Sequence, residues 1–143
     1  MDAKYTGHLQ KIEAVLDRWL PENPGASWIE TVFGSQGTFI NPEQTLPLTL
    51  PGWDLLKRGG KRWRPLFMVL LAESIAGENG GEAALHLTPL VEFAHTASLI
   101  HDDIEDNSDK RRGKPAIHLI YGTDTAINSA TFMYFLPLTC LSK

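Results

Sequence analysis

Apolar residues recur every three or four positions along most of this chain, and this helical spacing limits the folds that it can adopt. It predicts helices over residues 5–20, 66–76 and 82–106, and a last helix from 123 to about 136. No stretch alternates between apolar and polar residues for long enough to predict a half-buried strand. We therefore predict an all-α fold, a helical bundle that forms a single domain over residues 1–143.

Two segments of the chain, one predicted helix and one proline-rich stretch, give further expectations. The helix over residues 66–76 is apolar on nearly every side, which predicts that it is buried all round and that it ends at Gly77. The prolines between residues 42 and 52 predict an irregular connection that leads into the motif-bearing part of the chain.

Composition and charge restrict the class of protein. With 43% hydrophobic residues the chain can bury one core, and its net charge of -4 gives no basic field for nucleic acid. Its single cysteine, Cys140, excludes an internal disulfide framework and fits a reducing compartment. No apolar run is long enough to span a bilayer. We therefore expect a cytoplasmic protein that neither spans a membrane nor binds nucleic acid.

The segment HDDIEDNSDKRRGKP, residues 101–115, places a run of carboxylates directly before a run of cations. Asp102 and Asp106 are four residues apart on the predicted helix, so both carboxylates point the same way from successive turns. His95 lies on nearly the same stripe, and two arginines follow the helix end. Carboxylates of this kind suit Mg²⁺, which also accepts the oxygens of a phosphate, and arginines bind the same phosphate. The segment therefore predicts a site for a metal ion and a polyanion.

Other interpretations of the same residues are a solvated helix end followed by a solvated basic surface. A calcium loop is excluded, because Ile104, Asn107 and Gly113 stand where that loop needs a ligand, a glycine and a closing glutamate. A metal-dependent phosphohydrolase of the HD type is a further all-α alternative. Its ligands would be His95, His101, Asp102 and Asp124.

Three motifs follow one another in the chain: GGKRWRP (residues 59–65), EFAHTASLIHDDIEDNS (92–108) and RRGKPAIH (111–118). With these motifs the chain resembles the trans-type polyprenyl diphosphate synthases over residues 55–136. The resemblance implies a helical bundle of the isoprenoid synthase type. It also implies a prenyltransferase that uses Mg²⁺ to condense an allylic diphosphate with isopentenyl diphosphate into a longer trans-polyprenyl diphosphate.

The resemblance implies a role for each charged motif residue. Asp102 and Asp106 would bind Mg²⁺ that bridges to the allylic diphosphate, with Asp103 in support, and Arg111 would contact the same diphosphate. These four are the expected catalytic residues, whereas Arg62 is expected to have no such role. The diphosphate of isopentenyl diphosphate would be held by Lys61, Arg64, His95 and Arg112.

One departure from the family pattern sets the expected activity. Family members carry a second aspartate-rich motif on a later helix, whereas here no carboxylate follows Asp124. We therefore expect the truncated, N-terminal half of a synthase, inactive by itself and part of a homodimer or heteromer. The alternative is a non-catalytic or regulatory subunit of a heteromeric prenyl synthase. Because Ala97 and Ser98 are small, we expect the complete enzyme to make a product longer than farnesyl diphosphate.

Overall fold

The computed structural model of the chain describes residues 3–142 and confirms the all-α prediction. Short 3-10 segments cover Gly34–Phe39, Pro42–Thr45 and Leu136–Ser142. Two strands of two residues each, β1 (Lys110–Arg111) and β2 (Lys114–Pro115), form an antiparallel hairpin. The α-helices of the described residues are α1 (Ala3–Trp19), α2 (Ala26–Phe33), α3 (Leu46–Lys57), α4 (Trp63–His86), α5 (Thr88–Glu105), α6 (Ile117–Tyr121) and α7 (Thr123–Phe135).

Helix α5 lies at the centre of the bundle and contacts α1, α3, α4, α6 and α7. Its inner face carries Phe93, Ala97 and Ile100, which recur at helical spacing and are completely buried. Leu55 of α3 and Met133 of α7 are also completely buried in the same core. Because packing on several sides holds α5 in place, the charged residues at its C-terminal end have a fixed position.

Several predicted helices are confirmed with small shifts at their ends. The first predicted helix, residues 5–20, corresponds to α1, and the last, residues 123–136, corresponds to α7. The prediction that a helix ends at Gly77 corresponds to a kink within α4. There the backbone leaves the helical region at Ala76 and at Gly77, whose φ is 66°. A positive φ favours glycine, which has no Cβ to clash.

The prediction of one long helix over residues 82–106 is wrong. Helix α4 ends at His86, and α5 begins at Thr88 with Pro89 in its first turn. A proline has no N–H to donate, and its ring crowds the residue before it, so a proline suits the start of a helix and not its interior. The apolar pattern continues across the break because both helices face the same core.

The prediction of an irregular connection over residues 42–52 is wrong for most of that stretch, which belongs to α3. Pro47 lies in the first turn of α3, where its missing N–H is not needed. Pro51 lies inside the helix and is buried. Packing against α7 offsets the hydrogen bond that Pro51 cannot make. The backbone N–H of Gly52 also donates to the Ser129 hydroxyl of α7 at 3.1 Å.

The predicted burial of the helix over residues 66–76 is also wrong. Leu66 and Val69 are buried where α4 faces α1 and α5, but Phe67 is 61% exposed and Ile75 78% exposed. An apolar sequence does not by itself decide how many neighbours a helix has. Although α4 has 24 residues, neither it nor any other helix among residues 3–142 is long and apolar enough to cross a bilayer.

Candidate functional site

The C-terminal end of α5 presents the two predicted metal ligands, Asp102 and Asp106, to solvent. The backbone N–H of Asp106 donates to the carbonyl of Asp102 at 2.8 Å, so the two residues are one helical turn apart. Both are exposed. Because neighbouring turns of a helix stack their side chains on one face, the structure brings these two predicted metal ligands to the same face of α5.

Asp103, the third carboxylate of the motif, is completely buried. The Nε of Arg111 donates to its Oδ1 at 2.9 Å and to its Oδ2 at 3.1 Å, and Arg111 Nη2 donates to Oδ1 as well. This hydrogen bonding with Asp103 raises the pKa of Arg111 above its ordinary value. Both oxygens of Asp103 are thus engaged, so the geometry supports a positioning role toward Arg111 and not direct contact with a substrate.

The hairpin that follows α5 turns sharply at Arg112 and Gly113. Their φ angles are 53° and 77°, and two positive φ angles in a two-residue loop are typical of a type I′ turn. Arg112 Nη1 donates to the Leu55 carbonyl at 3.0 Å and to the carbonyl of Gly59, both near the end of α3. Arg111 and Arg112 therefore point to different helices, Arg111 toward α5 and Arg112 toward α3.

Arg112 lines a cleft of about 210 Å³ between the segment after α3 and the middle of α5. The four residues predicted to hold the diphosphate of isopentenyl diphosphate come together here. The structure thus unites residues of all three motifs, since Lys61, His95 and Arg112 line the same cleft. The cleft is lined by Gly60, Lys61, Arg62, Trp63, Arg64, Glu92, His95 and Arg112.

Arg64 and His95 form one contact of this cleft. Arg64 Nη1 donates to Nε2 of His95 at 3.1 Å, and its guanidinium lies 4.6 Å from the centre of the Trp63 ring. Burial lowers the pKa of His95 below 6.5, and the charges of Arg64 and Arg112 lower it further, although Asp102 opposes them. His95 is therefore neutral at neutral pH and accepts a hydrogen bond from Arg64.

Arg62 is buried and has a structural role that the sequence analysis missed. It donates to Glu13 of α1 at 2.7 Å, to Glu92 of α5 at 2.9 Å and to the Leu56 carbonyl of α3 at 2.6 Å. The guanidinium thus joins three helices beneath the cleft. Burial raises the pKa of Glu92, and the charge of Arg62 opposes that rise. The sequence carries no signal for this role, because a run of cations beside a Gly-Gly pair is typical of a solvated surface.

Gly60 is required by the arginines around it. Its φ is 146°, and an added Cβ would lie 3.0 Å from Nη1 of Arg62 and 3.3 Å from Nη2 of Arg112. An added Cβ would require these guanidinium groups to shift by a few tenths of an ångström, and the positive φ disfavours any side chain at this position. The Gly-Gly pair of the first motif therefore leaves room for the side chains of Arg62 and Arg112 beside the same stretch of backbone.

Two arginines that line the cleft, Arg64 and Arg112, differ in their partners from Arg62, which also lines it, and from the nearby Arg58 and Arg111. Arg58, Arg62 and Arg111 each form an ion pair with an aspartate or glutamate. Within the described residues, Arg64 instead contacts the neutral His95 and an indole ring, and Arg112 donates to backbone carbonyls. Neither forms an ion pair with a carboxylate in that part of the chain. Cations held in this way favour an anion as ligand.

The carboxylates of α5 fit a magnesium ion that also takes ligands from outside the chain. Among residues 3–142, no three side chains of His, Cys, Asp or Glu converge to hold a metal. Asp102 and Asp106 are exposed and lie on one face, and Mg²⁺ commonly binds one or two carboxylates together with waters and substrate phosphates. The donor set therefore suits Mg²⁺ bound with a phosphate-containing ligand.

The phosphohydrolase alternative has no support in the geometry. His95 contacts Arg64, while His101 stacks on Tyr134 of α7 with ring centroids 5.8 Å apart. Asp124 lies in the first turn of α7. These residues do not form a metal cluster in the part of the chain that the structure describes, which argues against that class of enzyme.

The prediction about product length depended partly on Ala97, which is completely buried in the core. Ala97 therefore does not line an open tunnel within residues 3–142, and that part of the reasoning is wrong. Ser98 is half buried, and its hydroxyl donates to the His95 carbonyl at 2.8 Å. A product longer than farnesyl diphosphate stays a prediction.

Comparison with known protein sequences matches the part of the chain that carries the three motifs to a protein family. The family model for polyprenyl synthetase matches residues 47–143. A geranylfarnesyl diphosphate synthase of Aeropyrum pernix is 49% identical over 73 residues, which is 51% of this chain and 23% of that protein. The octaprenyl diphosphate synthase of Escherichia coli is 40% identical over 83 residues, 58% of this chain and 25% of that protein. The matched regions thus cover about a quarter of the length of these relatives.

Solved structures show the same architecture. A geranylgeranyl pyrophosphate synthetase from Pyrococcus horikoshii matches 99% of this chain and 36% of its own, with a TM-score of 0.77 and 23% identity, and bears on the fold alone. A polyprenyl synthase from Caulobacter crescentus, complexed with calcium and isoprenyl diphosphate, matches 96% of this chain and 35% of its own, with a TM-score of 0.68 and 26% identity. These likenesses confirm the predicted isoprenoid synthase type of helical bundle.

The different burial of the neighbouring carboxylates gives a prediction about stability. Replacing Asp103 with Asn should lower the free energy of unfolding by roughly 3 kcal/mol, because it breaks a buried ion pair with Arg111. Replacing the exposed Asp102 with Asn should change it by less than about 0.5 kcal/mol. Urea denaturation of the two variants and the unchanged protein measures both values. Equal effects would show that Asp103 is not the structural member of the motif.

Proposed function

Because this chain belongs to the polyprenyl synthetase family, we propose that it contributes to the condensation of an allylic diphosphate with isopentenyl diphosphate into a longer trans-polyprenyl diphosphate. The observation that carries the proposal is the pair Arg64 and Arg112, two cations that face one cleft with neutral partners. The diphosphate group of isopentenyl diphosphate is an anion that suits such a cleft.

The second substrate would bind at the end of α5. Asp102 and Asp106 would hold Mg²⁺, which would neutralise the charge that develops on the departing diphosphate of the allylic substrate. Arg111, whose side chain is 30% exposed, would add a contact to the same diphosphate. The Caulobacter crescentus relative, which was crystallised with calcium and isoprenyl diphosphate, supports this combination of divalent ion and diphosphate ligand.

The protein groups themselves would bind, orient and shield the reactants. Lys61, Arg64 and Arg112 would anchor isopentenyl diphosphate by its charged end and leave its double bond to approach the allylic carbon. Arg111 belongs to the same hairpin turn as Arg112, so the two diphosphates would lie on either side of that turn. Leu99, half buried on α5 near the acids, would help to keep water from the allylic cation.

Binding of a diphosphate can be tested with inorganic pyrophosphate in isothermal titration calorimetry. Replacing Arg64 with Gln should weaken binding at least about tenfold, since hydrogen bonds to charged groups contribute about 1.5–3 kcal/mol. Replacing Asp102 with Asn should remove any gain in affinity that Mg²⁺ provides. Glu105→Gln is the matched control for Asp102→Asn, because Glu105 is an exposed acid of the same helix. Unchanged affinity in the Arg64 and Asp102 variants would place the ligand elsewhere.

The affinity for pyrophosphate should also depend on the charge of His95. Its pKa lies below 6.5 in the free chain, and a bound anion beside it favours the protonated ring and so raises that pKa. Binding then takes up a proton, and the affinity rises as the pH falls through the range between the bound and the free pKa. Calorimetry between about pH 5 and pH 8 measures this slope.

Comparing the variant His95→Gln with the unchanged chain distinguishes proton uptake by His95 from protonation of pyrophosphate itself. Both proteins bind the same ligand, so the difference between their two pH profiles belongs to His95. The variant should show the shallower rise toward acidic pH. Parallel profiles would mean that His95 does not face the bound anion.

The 143 residues alone should not turn over the two substrates at a measurable rate. At the end of α5, Asp102 and Asp106 are the two carboxylates proposed to hold metal ions, whereas the family resemblance implies a second aspartate-rich wall. Each missing metal contact would raise the barrier by several kcal/mol, and about 1.4 kcal/mol costs a factor of ten in rate. The assay is incorporation of labelled isopentenyl diphosphate by the purified chain. Product formation that Asp102→Asn abolishes would show that this chain, in whatever oligomer it forms, is sufficient.

A further inference from the structure

Arg58, at the C-terminal end of α3, has a side chain that is only 1% exposed. Its Nε donates to Oδ1 of Asp54 at 3.0 Å, and its Nη2 donates to Oδ2 at 2.9 Å. The Tyr121 hydroxyl of α6 donates to the same Oδ2 at 3.2 Å. The bond from Arg58 lowers the pKa of Asp54, so this carboxylate is ionised at neutral pH. The guanidinium is therefore fixed in one orientation.

The remaining nitrogen of Arg58 reaches the hairpin of β1 and β2. Nη1 donates to the Pro115 carbonyl at 2.7 Å and to the Arg111 carbonyl at 3.3 Å. One of these carbonyls belongs to each strand. A two-stranded ribbon is marginally stable by itself, and here each strand has only two residues. One buried guanidinium thus holds both strands of the hairpin against α3.

This hairpin determines where the cleft arginine lies. Arg112 occupies its turn with a φ of 53°, and its side chain reaches the carbonyls of Leu55 and Gly59 on either side of Arg58 in the sequence. The hairpin is therefore attached to the end of α3 at two points, through Arg58 and through Arg112. Without the first attachment, the hairpin would be held at α3 only by the side chain of Arg112, and at α5 by the pair of Arg111 with Asp103.

We infer that Arg58 is a positioning residue for anion binding, which acts by holding the hairpin so that Arg112 enters the cleft. This inference rests on the proposed function of that cleft. Arg58 is not among the residues that line the cleft. Its effect on a ligand must therefore pass through the hairpin backbone.

The planar guanidinium is essential to this role. It presents donors in several fixed directions, and Arg58 uses them for one carboxylate and two carbonyls at once. A lysine carries the same charge on a single nitrogen and cannot span these acceptors. The substitution Arg58→Lys therefore keeps the positive charge near the cleft and removes the attachment of the hairpin.

The first test compares the affinities of Arg58→Lys and of the unchanged chain for inorganic pyrophosphate. Arg58→Lys should bind about tenfold more weakly, although the net charge is unchanged. Arg18→Lys is the matched control, because Arg18 is exposed in the last turn of α1 and should leave the affinity unchanged. Tyr121→Phe, which removes one bond to Asp54, should weaken binding less, in the same direction. It replaces Arg58→Lys if that variant does not fold.

A double-variant cycle separates positioning from a general loss of stability. Arg112→Gly removes the cleft guanidinium at a residue whose positive φ suits glycine. If Arg58 acts through Arg112, adding Arg58→Lys to Arg112→Gly changes the affinity by less than about twofold. If the two losses multiply instead, Arg58 acts independently of Arg112 and the inference is overturned.

A measurement without ligand separates this inference from the proposed function. The Ala116 amide donates to the Asp109 carbonyl at 3.0 Å and closes the base of the hairpin. Its hydrogen exchange should become about tenfold faster in Arg58→Lys, with amides of α1 unchanged. Unchanged exchange of Ala116 overturns the inference. If the unchanged chain binds no pyrophosphate, the proposed function fails, whereas faster Ala116 exchange still supports the attachment of the hairpin by Arg58.

Discussion

Repulsion among five neighbouring arginines is the constraint on which this site depends. Three of them are neutralised within the bundle, Arg58 by Asp54, Arg62 by Glu13 and Glu92, and Arg111 by Asp103. The pairs of Arg62 connect it to α1 and α5, and the pair of Arg111 connects the hairpin to α5, whereas Arg58 and Asp54 lie one turn apart at the end of α3. The charge that remains belongs to Arg64 and Arg112. The fold thus separates cations that build the site from cations that are free to bind an anion.

The backbone around these arginines is held in conformations that cost free energy. Arg62 and Arg112 have φ angles of 48° and 53°, a region that residues other than glycine seldom adopt. Such a conformation costs of order 1 kcal/mol or more and persists only where surrounding contacts enforce it. Here the contacts are the ion pairs of Arg62 and the carbonyl bonds of Arg112. The positive φ angles of Arg62 and Arg112 and the hydrogen bonds of their side chains therefore depend on each other.

The sequence could predict those features that follow from spacing within one helix. Asp102 and Asp106 lie on one face of α5 because they are one turn apart, and the apolar spacing of α1 and α7 was sufficient to place both helices. It could not predict that packing against α7 would keep Pro51 inside a helix. It also could not predict the partner of Asp103, because Arg111 comes from a hairpin whose position depends on the buried Arg58. Such features depend on tertiary contacts, which the local sequence pattern does not predict.

The two proposed diphosphate sites differ in what they need from solution. The cleft already carries excess positive charge from Lys61, Arg64 and Arg112, so an anion can bind there without a metal ion. The end of α5 has the opposite character. Two exposed carboxylates and the negative end of the helix dipole repel an anion unless a cation lies between them. If both proposed sites bind diphosphates, a divalent ion would be required at the end of α5 and dispensable in the cleft, although the two sites share one hairpin turn.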